Sequence, residues 1–189
     1  AALERTASQP NVERDSAYYL ANITSIKSVD DFIGNDRIFK YAMKAFGLED
    51  MDYAKAFMRK ILNEGIDDPR SFANSLTDTR YREFAETFNF KRHTTVTTIF
   101  DRAQQGTVDR YVRQTLEVDA GKTNEGVRLA LYFQRKAEGV DTPFHLMADR
   151  SLLKVTQVAL GIPEATGTMD IDRQADLITK KLDIEDLKE

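Results

Sequence analysis

The stretch RIFKYAMKAFGLED, residues 37–50, decides the fold class, because its apolar residues follow a helical period and then stop at a glycine. Spacings of three, four and seven residues place side chains on one face of an α-helix. The stretch therefore predicts a helix that buries one apolar face and ends at Gly47. The residues that share this spacing are Ile38, Phe39, Ala42, Ala45 and Phe46.

Gly47 predicts how this helix ends. A helix leaves its last carbonyl groups unpaired, and a left-handed residue just beyond the end lets the following N–H groups bond to them. Glycine adopts the positive φ of this conformation without a Cβ penalty. We therefore expect Gly47 to have a positive φ and Leu48 to close over the last turn. The stretch KVTQVALGIPE, residues 154–164, repeats the pattern with Gly161 and Ile162.

Other segments carry the same helical period and extend the prediction to most of the chain. Residues 127–133 and 152–160 are apolar nearly all round, which is typical of central, buried helices. TTVTTIF, residues 94–100, is strand-like but has no second strand to pair with, so we expect a connector that leads into a helix. The sequence thus predicts an all-α, multihelical bundle. The amphipathic stripes are Tyr53, Phe57, Met58, Ile61 and Leu62; Tyr81, Phe84, Ala85 and Phe88; and Ile171, Ala175, Ile178 and Leu182.

Local capping signals predict where several helices begin. Asp68–Pro69 and Thr142–Pro143 each place a capping side chain before a proline that suits the first helical position. Ser28 and Asp31 form a capping-box pattern, in which the carboxylate reaches back to a free backbone N–H. The remaining predicted boundaries are an N-cap at Asn35 or Asp36 and a helix end at Gly65.

The length of 189 residues suits one domain with a substantial core. We expect a single helical domain over residues 1–189, with residues 10–90 and 95–182 as the alternative division into two helical halves that share one core. The acidic end, residues 183–189, is either a helix tail or disordered. The chain starts at Ala1 without methionine, which leaves open both a trimmed start and a segment of a longer protein.

Composition and charge exclude several classes of function. The chain has no cysteine, which rules out disulfides, thiolate nucleophiles and thiolate metal sites. A net charge of −4 with both signs interspersed disfavours a nucleic-acid binder, which normally carries a basic stripe. No apolar run reaches the roughly 18 residues that span a bilayer, and the polar start lacks the pattern of a signal peptide. We therefore expect no nucleic-acid partner and no membrane span.

Two short motifs resemble ligand sites but lack essential positions. GKT, residues 121–123, would need a glycine five residues before its glycine–lysine pair to cradle phosphate, and that position is Leu116. DIDRQAD, residues 170–176, has acidic spacing, but the calcium-loop positions that require glycine and glutamate are Ala175 and Lys181. We interpret the first motif as a solvated turn between two helices and the second as a helix start with acids near its positive end.

The histidines and nucleophile patterns give no catalytic site. His93 and His145 are far apart in sequence, and neither has a ligand partner one helical turn away. His145 lies in an apolar stretch, which favours a packed helix residue. No GxSxG nucleophile pattern occurs. We therefore predict no catalytic, cofactor-binding or metal-ligating residues, and no cofactor.

Two further features are candidates for contacts with partners. Asp–Arg pairs recur at residues 36–37 and 149–150, and we interpret each as a helix cap followed by a solvated or packing arginine. Tyr18 and Tyr19 are adjacent, so both cannot point into one core from one helix, and exposed aromatic side chains suit interfaces. The helix that carries them is therefore the expected edge of a contact surface.

Six motifs occur in order from Ile26 to Phe90: IKSVDDF, YAMKAFGL, KIL, DDPRSFAN, DTRY and FNF. With the later stretches ALYFQRK and DRSLLKVTQVALGIPE, they resemble the bacterial family known as domain of unknown function 1217. The resemblance implies a multihelical fold, occurrence mainly in alphaproteobacteria and frequent encoding near flagellar genes. Some relatives are longer and carry several copies of the domain. The family has no established activity or catalytic residues to assign to this chain.

Two functions of different classes follow as expectations. The first is a non-enzymatic protein–protein interaction or structural module linked to flagellar assembly or function, with a flagellar component as its protein partner. The second is a small-ligand-binding protein or enzyme with a cleft between the two helical halves. A deep pocket lined by His145 or Arg37 together with carboxylates would favour the second. We expect a cytoplasmic location, with export by the flagellar route as the alternative, and the sequence predicts no oligomeric state.

Overall fold

A computed structural model describes residues 1–122, 136–184 and 186 of the chain. These residues form α-helices joined by short 3₁₀ turns and loops, and none of them lies in a β-strand. The predicted all-α, multihelical fold is therefore confirmed. None of the helices in this described part combines the length and the apolar character that a membrane crossing requires.

The chain divides into two compact units. Unit 1 consists of Ala1–Asp52 and Met58–Thr123, and unit 2 consists of Tyr53–Phe57 and Asn124–Glu189. A division by compactness is not a test of whether each unit folds alone. The single domain over the whole chain and its alternative halves therefore stay predictions.

The α-helices that contribute to unit 1 are mostly short, and α9 is the longest of them. The first three residues of α5 belong to unit 2. The helices are α1 (Ala2–Ala7), α2 (Pro10–Asn22), α3 (Val29–Gly34), α4 (Asp36–Ala45), α5 (Lys55–Glu64), α6 (Phe72–Ser75), α7 (Thr79–Thr87), α8 (Phe90–His93) and α9 (Gln105–Gly121). The 3₁₀ turns of this unit are Ile23–Ser25, Glu49–Met51, Thr94–Ile99 and Asp101–Ala103.

In unit 2, the described residues include three further α-helices and a 3₁₀ turn. The helices are α10 (Pro143–Met147), α11 (Arg150–Leu160) and α12 (Ile171–Lys181), and the turn is Glu164–Thr168. Helix α10 packs against both α11 and α12. The predicted alternatives for residues 183–189 concern a segment that lies largely outside the described residues.

The apolar stripe of α4 is buried, as its sequence predicts. Helix α4 packs mainly against α9, and its phenylalanines also meet those of α7. The Phe84 ring centroid lies 6.5 Å from that of Phe39 and 5.4 Å from that of Phe46. Phe88 adds a further ring at 5.0 Å from Phe84. This phenylalanine cluster joins α4 and α7 in the core of unit 1.

The other predicted stripes are buried with two exceptions at their ends. Tyr53 precedes α5 and is partly exposed, and Leu182 follows α12 and is half-buried. Both residues lie at the ends of their stripes, and fewer neighbouring side chains pack against the end of a stripe than against its middle. The buried members are Phe57, Met58, Ile61 and Leu62; Tyr81, Phe84, Ala85 and Phe88; and Ile171, Ala175 and Ile178.

The glycine ends of α4 and α11 are confirmed. Gly47 has a φ of 71°, and the Leu48 N–H donates a 2.8 Å hydrogen bond to the Met43 carbonyl. Leu48 is buried over the last turn of α4. Gly161 has a φ of 67°, and the Ile162 N–H makes the matching bond at 2.8 Å. Both ends have the backbone bonding of a Schellman cap.

Most predicted helix starts are also confirmed. The Ser28 hydroxyl accepts the Asp31 N–H at 3.0 Å, and the Asp31 carboxylate accepts the Lys27 N–H at 3.0 Å. Asn35, rather than Asp36, caps α4 with its side-chain oxygen. The remaining confirmed boundaries are the N-caps Asp149 and Asp170 and the helix end at Gly65, whose φ is 65°.

The helix start predicted at Asp68–Pro69 is wrong. The Asp68 carboxylate accepts the Arg70 N–H at 2.8 Å within a turn, and the next helix, α6, begins at Phe72. An Asx turn and an N-cap use the same kind of side-chain bond, so local sequence does not separate them. At Thr142–Pro143 the helix α10 begins as predicted, although no side-chain bond caps it.

The prediction that residues 152–160 form a central, buried helix is wrong. The segment is helical, but Val155 and Val158 are exposed, Val158 by 75%. Much of a folded protein's surface is apolar, so apolar residues all round a helix do not require burial on all sides. The second such segment, residues 127–133, lies outside the described residues. TTVTTIF is a 3₁₀ turn that leads to α9, so the predicted connector is confirmed.

Candidate functional site

The two histidines lie in different local settings. The His93 Nε2 atom is 3.1 Å from the Arg102 guanidinium, and its imidazole ring is 4.9 Å from the Phe100 ring. The His145 Nδ1 atom accepts the Asp141 N–H at 3.0 Å at the start of α10. Among the described residues, no three acidic or histidine side chains are grouped closely enough to hold a metal ion.

Tyr18 and Tyr19 take different positions, as their adjacency predicts. Tyr19 is fully buried, and its hydroxyl donates to the Ala103 carbonyl. Tyr18 is half-buried, with the Arg37 guanidinium 3.7 Å from its ring centroid. Arg37 also pairs with Asp15 at 3.5 Å. The arginine of the first Asp–Arg pair therefore packs on an aromatic ring, consistent with its interpretation as a packing residue.

A cavity of about 280 Å³ opens beside Tyr18 within unit 1. Helices α2, α4 and α9 and the loop that follows α4 line it, and its walls carry three tyrosines, three cationic side chains and three carboxylates. Of the two residues that would favour ligand binding in a deep pocket with carboxylates, Arg37 lines this cavity and His145 does not.

Tyr41 and Tyr111, two members of a column of three stacked tyrosines, form the aromatic wall of the cavity. The Tyr41 ring lies between those of Tyr19 and Tyr111, with centroid distances of 4.5 Å and 3.9 Å. The hydroxyls of Tyr41 and Ser16 form a 2.8 Å hydrogen bond. Aromatic stacking and this bond fix the Tyr41 ring, so one wall of the cavity is preorganised.

Burial raises the pKa of all three stacked tyrosines. The pKa of Tyr111 rises to about 12, chiefly through burial and further through the negative charges of Asp15 and Glu49. Burial also raises the pKa of Tyr19 and of Tyr41 well above the ordinary value of 10.0. The column therefore stays protonated and neutral throughout the physiological range.

We expect stability to fall steeply above about pH 10, where the tyrosines of the unfolded chain ionise. Below that pH both states keep these protons, so no stability is lost. Above it the folded state retains them and the unfolded state releases them, so each such tyrosine lowers the free energy of unfolding by about 1.4 kcal/mol per pH unit. Urea melts at increasing pH would measure the slope, which Tyr111→Phe should flatten. A pH-independent stability up to about pH 11 would contradict the expectation.

Several charged groups of the cavity have no ion-pair partner among the described residues. Arg37 is held by Asp15, and Lys40 is held by Asp36 at 3.0 Å. By contrast, no ion pair with a described residue is formed by the Glu49 carboxylate, the Asp52 carboxylate or the Lys44 ammonium group. Asp119, whose pKa Lys44 helps to lower, is itself paired with Lys122 at 3.0 Å.

A second candidate surface is the 3₁₀ turn with the residue that follows it, residues 94–100, here named the apolar turn. Its large apolar side chains Val96, Ile99 and Phe100 are 46%, 58% and 40% exposed. Large apolar groups that remain in water on a short irregular segment mark candidate interaction sites. The sequence predicts this segment only as a connector, although apolar residues that follow no helical stripe are a usable signal of an exposed apolar segment.

Thr94 begins the apolar turn in a strained backbone conformation. It has a φ of 50° and a ψ of −125°, and it is the only positive φ among the described non-glycine residues. These angles match the first central position of a type II′ turn, which glycine dominates. A β-branched residue there is an outlier that costs about 1–3 kcal/mol, and such strain clusters at binding and switching sites.

Cationic side chains flank the apolar turn. Between Lys91 and Gln104 the sequence has three lysines and arginines and a single acid, Asp101, in a chain whose net charge is −4. Arg92 is paired with Asp67, whereas Lys91 and Arg102 form no ion pair with a described residue. The Arg102 guanidinium lies 4.8 Å from the Phe100 ring centroid.

The fold and these two surfaces define an all-α protein with a polar, tyrosine-lined cavity and an exposed apolar turn. The family described as "protein of unknown function (DUF1217)" matches residues 45–189. The chain therefore belongs to this family, and the resemblance found from its motifs is confirmed.

A crystal structure of an Agrobacterium tumefaciens protein, determined by a structural-genomics consortium, shares this fold. It is 45% identical in sequence with a TM-score of 0.64, and the alignment covers 100% of this chain and 80% of that one. No protein of curated function matches the sequence significantly.

Proposed function

We propose that the protein is a non-enzymatic interaction module of the cytoplasm that serves flagellar assembly or function, and that it docks a partner through the apolar turn. The observation that supports the docking surface is the exposure of Val96, Ile99 and Phe100 on one short segment. Exposed apolar groups of this size gain free energy when a partner removes them from water.

The charges around the apolar turn support a partner with acidic groups. Lys91 and Arg102 flank the exposed apolar residues without ion pairs in the described part of the chain. A partner segment with apolar anchors flanked by aspartate or glutamate would satisfy both the apolar surface and the cations. The flagellar assignment rests on the genomic setting that the family resemblance implies.

The strain at Thr94 supports a surface shaped for binding. Replacing Thr94 by glycine would remove the strain but also loosen the turn. We expect Thr94→Gly to raise the free energy of unfolding by about 1 kcal/mol and to weaken partner binding several-fold. A variant that is more stable but docks less well is the expected signature of strain retained for function.

The direct experiment combines motility with site-specific crosslinking in the host. A photoreactive phenylalanine analogue at Phe100 should crosslink to a flagellar protein through an apolar, acid-flanked segment, and Ile99→Asp should weaken binding about 30-fold and impair swimming. Val158→Asp is the matched control, because Val158 is an exposed valine of unit 2 outside the apolar turn. Normal swimming and unchanged crosslinks with Ile99→Asp would overturn the proposal.

Small-ligand binding is a second candidate function, supported by one specific observation. The cavity of unit 1 combines Arg37 with three carboxylates and a preorganised tyrosine wall. Concave sites that combine a rigid aromatic wall with a few polar groups are typical of ligand binding.

A further inference from the structure

The cavity of unit 1 contains a cationic side chain, that of Lys44, beside its tyrosine wall. Lys44 forms no ion pair with a described residue, and its ammonium group lies 4.9 Å from the Tyr111 ring centroid. Tyr111 lines the same cavity, and its hydroxyl forms no hydrogen bond with a described residue. The hydroxyl is not among the unpaired side-chain atoms that are fully removed from solvent, so it can donate its proton to a ligand in the cavity.

The same cavity contains two carboxylates that form no ion pair with a described residue. Glu49 and Asp52 lie at the 3₁₀ turn that follows the glycine cap of α4, and their carboxylates form no ion pair with a described residue. Glu49 and Lys44 both lie near Tyr111: the negative charge of Glu49 helps to raise the pKa of Tyr111, and the Lys44 ammonium group adjoins its ring. Because these residues line one cavity of about 280 Å³, a single small molecule can contact Lys44 and the carboxylates together.

We propose that this cavity binds a free α-amino acid, whose carboxylate contacts Lys44 and the Tyr111 hydroxyl and whose ammonium group contacts Glu49 and Asp52. The inference rests on the second candidate function and specifies its ligand class. Charge-assisted hydrogen bonds of this kind are the strong ones in binding sites.

Charge balance and size favour an amino acid over other small molecules. The cavity carries three cationic and three acidic side chains, so a neutral zwitterion matches it better than an anion or a polyamine. Its volume of about 280 Å³ lies just below the range of about 300–1,000 Å³ that is usual for drug-sized ligands. A nucleotide would be too large and too negative for these walls.

The test begins with a thermal-shift screen of the twenty common L-amino acids against the full chain. At about ten times its Kd, a true ligand should raise the Tm by roughly 3–6 °C. Isothermal titration then compares the best amino acid with its N-acetyl derivative and its amide. We expect both derivatives to lose at least tenfold in affinity, because each removes one of the two charges.

Matched variants assign the binding to the cavity. Lys44→Met and Glu49→Gln should each weaken binding at least tenfold. Lys27→Met and Asp50→Asn remove exposed charges that do not line the cavity, so they should change affinity less than twofold. Circular dichroism of each variant would show whether it is folded.

Two probes that are not amino acids show whether the cavity binds a different class of ligand or binds no small molecule at all. Citrate and putrescine test for an anion site and a polyamine site in the same screen. Saturable, Lys44-dependent or Glu49-dependent binding of either one without any amino acid would overturn the ligand class but keep the second candidate function. No binding by any probe, or binding that both cavity variants retain, would overturn the proposed site altogether.

Discussion

Phe84→Ala is expected to lower the free energy of unfolding by about 3–5 kcal/mol. Phe84 is fully buried, and its ring contacts those of Phe32, Phe39, Phe46 and Phe88 at centroid distances of 5.9, 6.5, 5.4 and 5.0 Å. The substitution removes apolar burial and leaves a cavity that α4 and α7 cannot fill without moving. Urea denaturation followed by circular dichroism measures the loss.

Two controls show whether the loss comes from the phenylalanine cluster. Phe84→Leu keeps most of the volume and should cost less than about 2 kcal/mol. Phe100→Ala removes a partly exposed phenylalanine of the apolar turn and should cost less than about 1 kcal/mol. A loss at Phe84→Ala no larger than that at Phe100→Ala would show that Phe84 does not hold this core together.

Gly47→Ala is expected to cost about 1–3 kcal/mol, because two penalties act together. Alanine must adopt the φ of 71°, which L-residues disfavour. Its Cβ would also lie 3.3 Å from the Arg80 Nη1 atom, which donates to the Gly47 carbonyl. Arg80 cannot move away easily, since Asp78 holds its guanidinium at 2.7 Å. Thermal and urea melts would measure the loss.

Two other glycines separate the contributions. Gly161 has a φ of 67° but no atom within 4 Å of an added Cβ, so Gly161→Ala should cost only the backbone penalty of about 1 kcal/mol. Gly34 also has free space at that position and lies in α3 without a positive φ. Gly34→Ala should therefore be neutral or stabilising. Equal effects at all three glycines would refute the left-handed cap.

Sequence predicted the features of this fold that depend on neighbouring residues. The positive φ of Gly47, the Ser28 cap and the buried stripe of α4 each follow from side chains within one or two helical turns. The same locality explains the error at Asp68, where a turn and a helix start use one side-chain bond.

The candidate site was only partly predictable. From the sequence, Arg37 in a deep pocket with carboxylates would favour ligand binding. Arg37 does line the cavity, together with carboxylates. The tyrosine wall was not foreseen, because Tyr41 and Tyr111 meet through the packing of α4 on α9. Likewise, Val158 is exposed because other elements pack on a different face of α11, and the local sequence pattern does not specify that face.

The tyrosine column sets an order of events during synthesis. One face of the Tyr41 ring is covered by Tyr19 of α2, which is synthesised earlier. The other face is covered by Tyr111 of α9, which is synthesised later. At about 5–20 residues per second, the ribosome needs roughly 4–14 seconds to translate from one residue to the other. Throughout that interval the nascent chain presents a bare aromatic face beside the half-built cavity. The tyrosine wall is therefore completed only after α9 has been synthesised.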